Sequence, residues 1–186
     1  YLRGLERRRA RGLPLDHIAS VASFFVSRLD TTLDPLLAER QPELQGKIAN
    51  ANAKLAYQEY LELFGGGHFA ALRAAGARPQ RLLWASTSTK NPAYPDLLYV
   101  DNLIGPDTVN TLPPATYDAF RDHGVVADTL EQDVEIALAH LAALPELGID
   151  LSAVTDQLEI EGIDAFIQSF NKLLAAIEAK TSALPA

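Results

Sequence analysis

The chain has 186 residues, 48% of them apolar and 22% charged, enough apolar material for a single domain with a sizeable core. A formal net charge of −8 and a pI near 4.9 argue against a basic face built to track nucleic-acid or lipid phosphates. The absence of cysteine removes disulfides, thiolate nucleophiles and Cys-ligated zinc together.

No apolar run approaches the ~18 residues of a spanning helix, and the N-terminus has no signal-peptide core. The expectation is a soluble cytoplasmic protein with neither nucleic acid nor membrane as partner. The chain opens Tyr1-Leu2-Arg3-Gly4-Leu5-Glu6 in a helical pattern and contains no methionine, so residue 1 is expected to be a cut point. Arg7, Arg8, Arg9 and Arg11 then read as a solvated helix end favoured by the helix dipole, in preference to a nucleic-acid arm.

Three short apolar runs follow along the chain and read as strands: Ile18 to Val26, Leu82 to Ala85, and Thr108 to Leu112. In the first, Val21 and Phe25 fall on one side and Ala22, Phe24 and Val26 on the other. Both faces are apolar, the pattern of a parallel strand covered on each side. After it, Leu33, Leu36 and Leu37, then Ile48, Leu55, Leu61 and Phe64, carry a helical period to Gly65-Gly66-Gly67. The triple glycine reads as a helix stop, since neither Walker nor Rossmann spacing surrounds it. A short helix from His68 to Ala75 ends at Gly76, and after the third run Pro113-Pro114 opens a helix that Gly124 closes.

The last third is helical in pattern. Asp128-Thr129-Leu130-Glu131 resembles a capping box leading into a stripe of Leu130, Val134, Leu138 and Leu141. Phe166, Phe170, Leu173, Leu174 and Ile177 fall on one helical face, which is expected to be buried against the body of the protein. Strands alternating with helices make the fold α/β, either an open doubly wound sheet or a (β/α)8 barrel. A barrel needs ~250 residues, with a lower limit near ~200, so a barrel reading implies missing strands.

Ligands of parallel α/β folds meet the carboxyl ends of strands. The polar residues there are Ser23 within the first run, Ser27, Arg28 and Asp30 after it, and Ser86, Thr87, Ser88, Thr89, Lys90 and Asn91 after the second; the arginine, the lysine and the hydroxyls would form a compact anion site. A phosphorylated small molecule suits it. The competing readings are an Arg28–Asp30 ion pair, a helix-capping Asp30, and a hydroxyl cluster that satisfies its own loop backbone. Lys90 has a further reading as a Schiff-base lysine, which needs a desolvated amine. Its place among hydroxyls and beside Asn91-Pro92 favours phosphate contact instead. His17, His68, His123 and His140 have no metal-ligand or hydrolase spacing, and Trp84 reads as core.

The segment Ser20-Val21-Ala22-Ser23-Phe24-Phe25-Val26-Ser27-Arg28-Leu29-Asp30 resembles the sixth-strand signature of transaldolases, whose pattern is close to Ser-x-Phe-Val-x-Arg. The block Leu83-Trp84-Ala85-Ser86-Thr87-Ser88-Thr89-Lys90-Asn91-Pro92-Ala93-Tyr94-Pro95-Asp96 is similar to the seventh strand and loop of the actinobacterial-type branch, and Asp107-Thr108-Val109-Asn110-Thr111-Leu112-Pro113 to the eighth strand. The resemblance implies a cofactor-free enzyme of the pentose phosphate pathway. It moves a dihydroxyacetone unit from a ketose phosphate to an aldose phosphate, such as from sedoheptulose 7-phosphate to glyceraldehyde 3-phosphate, through a Schiff base on lysine.

By the resemblance, Arg28 matches the phosphate-binding arginine and Ser23 a serine near the substrate hydroxyls. Ser88 and Lys90 match the serine and basic residue of a Ser-x-Arg-Asn phosphate loop. Lysine here replaces arginine, and Thr89 an aromatic, so the phosphate is met by a point charge without a bidentate fork. The family's Schiff-base lysine lies on the fourth strand, ahead of anything matched here. The chain is therefore expected to be the C-terminal part, about strands six to eight and the closing helices, of a (β/α)8 TIM barrel. It would bind sugar phosphates, possess no covalent lysine, be inactive alone, and associate as a homodimer in its parent. Rival expectations are a fusion to glucose-6-phosphate isomerase beyond Ala186, and a non-catalytic interaction module whose partner completes the sheet.

Overall fold

The computed structural model describes residues 1–182. Strands β1 (Ser20–Phe25), β2 (Gln80–Ala85) and β3 (Thr108–Asn110) form a parallel sheet in the order β1-β2-β3. Ser20 lies opposite Gln80 and Phe25 opposite Ala85, while Leu82 pairs with Thr108 and Trp84 with Asn110. Each apolar run is thus a strand, and all three point the same way. The fold is mixed α/β with a parallel sheet.

The elements follow in chain order: α1 (Leu2–Ala10), β1, α2 (Ser27–Leu37), α3 (Ile48–Gly65), α4 (Gly67–Ala74), β2, α5 (Leu98–Asp101), β3, α6 (Pro114–His123), α7 (Val134–Glu146) and α8 (Leu151–Ser182). They fall into two units, Tyr1–Ala143 and the segment from Leu144 onward. No single helix is long and apolar enough to cross a membrane among the described residues.

In the first unit, side chains alternate across the strands, and only one face of β1 is well covered. Trp84 is fully buried, meets Phe24 edge to face at 5.7 Å, and donates its indole N–H to the Leu103 carbonyl at 3.1 Å. Helix α3 lies against β2. The opposite face of β1 is open, with Val21 40% and Phe25 42% exposed and Ser23 exposed between them. This corrects the expectation of a strand covered on both sides, because composition marks both faces as apolar without supplying a layer for each.

Leu29, Leu33 and Leu37 recur every fourth residue along α2 and are buried, each burial contributing roughly 1.5–3 kcal/mol. Along α3 the covered face is aromatic, with Tyr57 stacked on Tyr60 at 5.7 Å and Tyr60 tilted on Phe64 at 5.1 Å. Leu55 and Leu61 are only half-buried. The helix ends at the triple glycine as expected, for a Cβ on Gly66 would sit 2.8 Å from the Glu62 carbonyl oxygen. Arg7, Arg8 and Arg9 occupy the last turn of α1, where Arg8 donates to the Pro14 carbonyl at 2.8 Å.

Gly124 ends α6 with a φ of −66°. Its lack of a side chain is needed for space, since a Cβ would collide with the Phe120 ring. The capping box does not form. Thr129 instead donates to the Asp101 carbonyl at 2.6 Å and accepts from Ile104 N at 3.2 Å, and α7 begins only at Val134. Ala137 is buried in α7 while Leu138 is 51% exposed, so the covered face is not the one that the Leu130-Val134-Leu138-Leu141 stripe marks.

In the second unit, Asp150 caps α8 by accepting from Ser152 N at 2.9 Å and Ala153 N at 3.3 Å. Within this unit the late apolar face of α8 is left uncovered. Phe166 is 64% exposed, Phe170 59%, Leu173 56%, Leu174 43% and Ile177 51%. Periodicity identifies which face is apolar and leaves open whether anything covers it.

Candidate functional site

Strands β1 and β2 end in register, and their carboxyl ends are tied together. Val26 N donates to the Ala85 carbonyl at 2.9 Å and Ser27 N to the Ser86 carbonyl at 3.0 Å. The two hydroxyls, Ser27 Oγ and Ser86 Oγ, are 3.0 Å apart. Ser86 holds a left-handed φ of 56°, a conformation that costs a residue with a side chain ~1–3 kcal/mol. The surrounding bonds hold it there, and the chain leaves the strand abruptly.

Helix α2 begins at Ser27, which places Arg28 in its first turn. The Arg28 guanidinium carbon lies 4.9 Å from the centroid of the Phe25 ring. Phe25 and Ser23 are two residues apart on the open face of β1, so Ser23 and Arg28 come to the same side of the sheet. Arg28 does not pair with Asp30. That carboxylate is only 1% exposed and accepts instead from Ala49 N at 2.7 Å and the Tyr99 hydroxyl at 2.9 Å.

Beyond β2 the hydroxyls divide. Thr87 is buried and donates to Asn110 Oδ1 at 2.9 Å, fastening the loop to β3. Thr89 donates to the Pro95 carbonyl at 2.8 Å and the Asp96 carbonyl at 3.2 Å, bracing its own loop. The expectation that hydroxyls serve the loop backbone therefore holds for Thr89. Ser88 accepts from Lys90 Nζ at 2.5 Å, and Lys90 is exposed. The structure thus groups Ser23 with Arg28 on β1–α2 and Ser88 with Lys90 after β2, and the Ser27–Ser86 contact joins the two supports.

Beneath this lies a network that sequence reasoning missed. Asp34, one turn after Asp30, accepts the Tyr94 hydroxyl on Oδ2 at 2.7 Å and Gly46 N on Oδ1 at 2.9 Å. Gly46 has a φ of +69°, and a Cβ there would lie 2.9 Å from the Tyr94 ring. Burial pushes the Asp30 carboxyl up to about 6 against the lowering bonds from Ala49 N and Tyr99. Tyr94 is pushed up to about 12, by burial first and then by Asp34; Tyr99 is raised further by burial and by Asp30. Thr31, Asp34, Gln45, Lys90, Asn91 and Tyr94 line a cleft of about 340 Å³ here. The available signal was Asp30 and Asp34 at i, i+4, interleaved with buried Leu29, Leu33 and Leu37.

Lys54 was also missed. It is buried on α3 and donates to the Gln132 carbonyl at 2.7 Å, and burial lowers its pKa while Asp133 opposes the shift. It ties α3 to the turn ahead of α7. No cluster of three metal-ligating side chains occurs among the described residues.

The sequence profile described as Transaldolase/Fructose-6-phosphate aldolase matches residues 7–177. The transaldolase of Trichodesmium erythraeum (strain IMS101) is 48% identical over 198 residues, covering 99% of this chain and 52% of the relative. That of Parafrankia sp. (strain EAN1pec) is 50% identical over 182 residues, covering 95% and 49%. That of Neisseria meningitidis serogroup C (strain 053442) is 51% identical over 177 residues, covering 95% and 50%. The chain spans about half the length of these curated relatives, and identities so close together do not select the actinobacterial-type branch. The match over residues 7–177 is what the strand-end signatures led us to expect: the chain belongs to the transaldolase/fructose-6-phosphate aldolase family.

Proposed function

We propose that this chain is the phosphate-binding, C-terminal part of a transaldolase, corresponding to about strands six to eight of a (β/α)8 barrel. The observation that carries the reading is the placement of Arg28 and of Ser88 with Lys90 after the carboxyl ends of adjacent, parallel β1 and β2. A guanidinium and an ammonium at neighbouring strand ends suit the oxygens of a sugar phosphate. The open apolar face of β1 suits a barrel interior filled by side chains of further strands.

In this reading the enzyme is cytoplasmic and needs no cofactor. Arg28 and Lys90 hold the phosphate of the ketose donor and then of the aldose acceptor, and Ser23 faces the substrate hydroxyls. Holding the phosphate fixes where the carbonyl carbon sits relative to the attacking amine. That amine, which forms the Schiff base and retains the dihydroxyacetone unit as an enamine after carbon–carbon cleavage, belongs to a lysine outside residues 1–186. Lys90 serves as a charge and Lys54 as a structural tie.

Titration of the chain with fructose 6-phosphate, followed by amide NMR, tests the reading. Shifts at Arg28, Ser88 and Lys90, with affinity falling roughly 10- to 100-fold in Arg28→Ala, are expected for the loss of one charged hydrogen-bonding group. Binding unaffected by Arg28→Ala would refute the assignment. The exposed faces of β1 and α8 favour a second reading, a non-catalytic interaction module, which predicts no sugar-phosphate affinity at all.

A further inference from the structure

We propose that Tyr94 and Asp34 are positioning residues for phosphate recognition: their hydrogen bond seats the loop carrying Lys90 against α2, the helix that carries Arg28. The proposal rests on the transaldolase reading above and adds two residues that touch no substrate.

Lys90 lies on a loop that braces itself. Thr89 bonds the Pro95 and Asp96 carbonyls, Ala93 N bonds Asn91 Oδ1 at 3.0 Å, and Tyr94 N bonds the Asn91 carbonyl at 3.1 Å. Such a loop moves as one piece, so the position of its charge depends on where the piece is tethered. Ser27 ties the start of this segment to α2 through Ser86, and beyond Lys90 the tether to α2 is the Tyr94 hydroxyl on Asp34 Oδ2 at 2.7 Å. Arg28 stands six positions earlier on the same helix, so the bond fixes one basic group relative to the other.

The receiving carboxylate is oriented in advance. Asp34 Oδ1 accepts from Gly46 N at 2.9 Å, and Gln45 Nε2 donates to the Asp34 carbonyl at 2.9 Å, so Asp34 keeps its place without Tyr94. The Tyr94 ring packs where a Cβ on residue 46 would intrude, which defines its seat. Asp30 and Tyr99 repeat the device one turn earlier and anchor α5 behind the loop. A pair of preorganised acceptors on one helix face is costly to bury unless both are satisfied, and here each receives two donors.

The test compares the affinity of the chain for fructose 6-phosphate and for inorganic phosphate in wild type, Tyr94→Phe, Asp34→Ala and the double variant. Thermal unfolding is followed in parallel, with Lys54→Met as a control that loosens the fold away from the loop. We expect Tyr94→Phe to weaken both ligands five- to tenfold, and the double variant to bind no more weakly than the worse single. Lys54→Met is expected to lower the Tm while leaving affinity within twofold. If Asp34→Ala does not fold, Tyr94→Phe decides alone, because its ring and the Asp34–Gly46 bond remain. Wild-type affinity retained in Tyr94→Phe overturns the positioning role while leaving the phosphate site intact. Absence of binding by the wild-type chain overturns both.

Discussion

Asp30 and Asp34 stand one helical turn apart on α2, and each accepts one tyrosine hydroxyl and one backbone N–H: Tyr99 and Ala49 for the first, Tyr94 and Gly46 for the second. Two carboxylates on one helix face thereby join three segments of the first unit: α2, the approach to and first turn of α3, and the stretch from the Lys90 loop to α5. The arrangement places charge beside the leucine row that buries α2, and its energetics are therefore sensitive to pH.

Burial dominates at Asp30 and raises its carboxyl from 3.8 to about 6. A group that holds its proton more tightly when folded contributes stability below its unfolded pKa, and that contribution is lost as pH rises through the folded value. Asp30→Asn removes the titration. The stability of wild type relative to Asp30→Asn should fall by up to about 3 kcal/mol between pH 4 and pH 7, because each tenfold change in proton affinity on folding is worth about 1.36 kcal/mol. Urea unfolding at several pH values measures it, and a difference independent of pH would contradict the assignment.

Trp84 fills the centre of the covered sheet face. Trp84→Ala should destabilise the first unit by about 3–5 kcal/mol. Trp84→Phe should cost roughly 1–3 kcal/mol, because the Leu103 carbonyl loses its donor. Chemical denaturation read by circular dichroism measures both losses, and wild-type stability in Trp84→Phe would show that the indole N–H contributes nothing.

Gly46 combines a φ of +69° with a Cβ direction occupied by the Tyr94 ring. Gly46→Ala should destabilise by ~1–3 kcal/mol through backbone strain and also displace Tyr94. Tyrosine ring resonances in NMR spectra should report the displacement, whereas an unchanged Tyr94 environment would separate the strain from the seat.

The apolar face of α8 should drive association of the chain on its own, since exposed contiguous apolar surface of this kind is a binding liability. Sedimentation velocity should show a coefficient that rises with concentration. Phe170→Glu should reduce that rise, and a monomer at all concentrations in wild type would count against it.

Much of the first unit can be read from residue order. The strand ends were legible within a few residues because Leu-Leu-Trp-Ala and Thr-Val-Asn are short, β-prone and bounded by turn residues. The positions of Arg28 and Ser88 just past strand ends were legible because each follows a short apolar run closed by turn residues. Asp34 and Tyr94 were not, since their pairing spans 60 positions and no local pattern encodes it. The helix starting at Val134 was misplaced because Thr129, a good cap in isolation, finds better partners at Asp101 and Ile104. The exposure of β1 and α8 lies beyond any pattern, because periodicity carries no information about what a face meets.

On the proposed reading, in which the chain holds the phosphate side of a transaldolase site and the covalent lysine lies elsewhere, the chain should bind fructose 6-phosphate and form no adduct with it. Borohydride reduction in the presence of fructose 6-phosphate, with mass mapping of Lys47, Lys54, Lys90, Lys172 and Lys180, puts this to the test. Fructose 6-phosphate is expected to bind, and every lysine is expected to stay unmodified. A reduced adduct on Lys90 or Lys54 would place the Schiff base within this chain and contradict both the phosphate role of Lys90 and the assignment to strands six to eight.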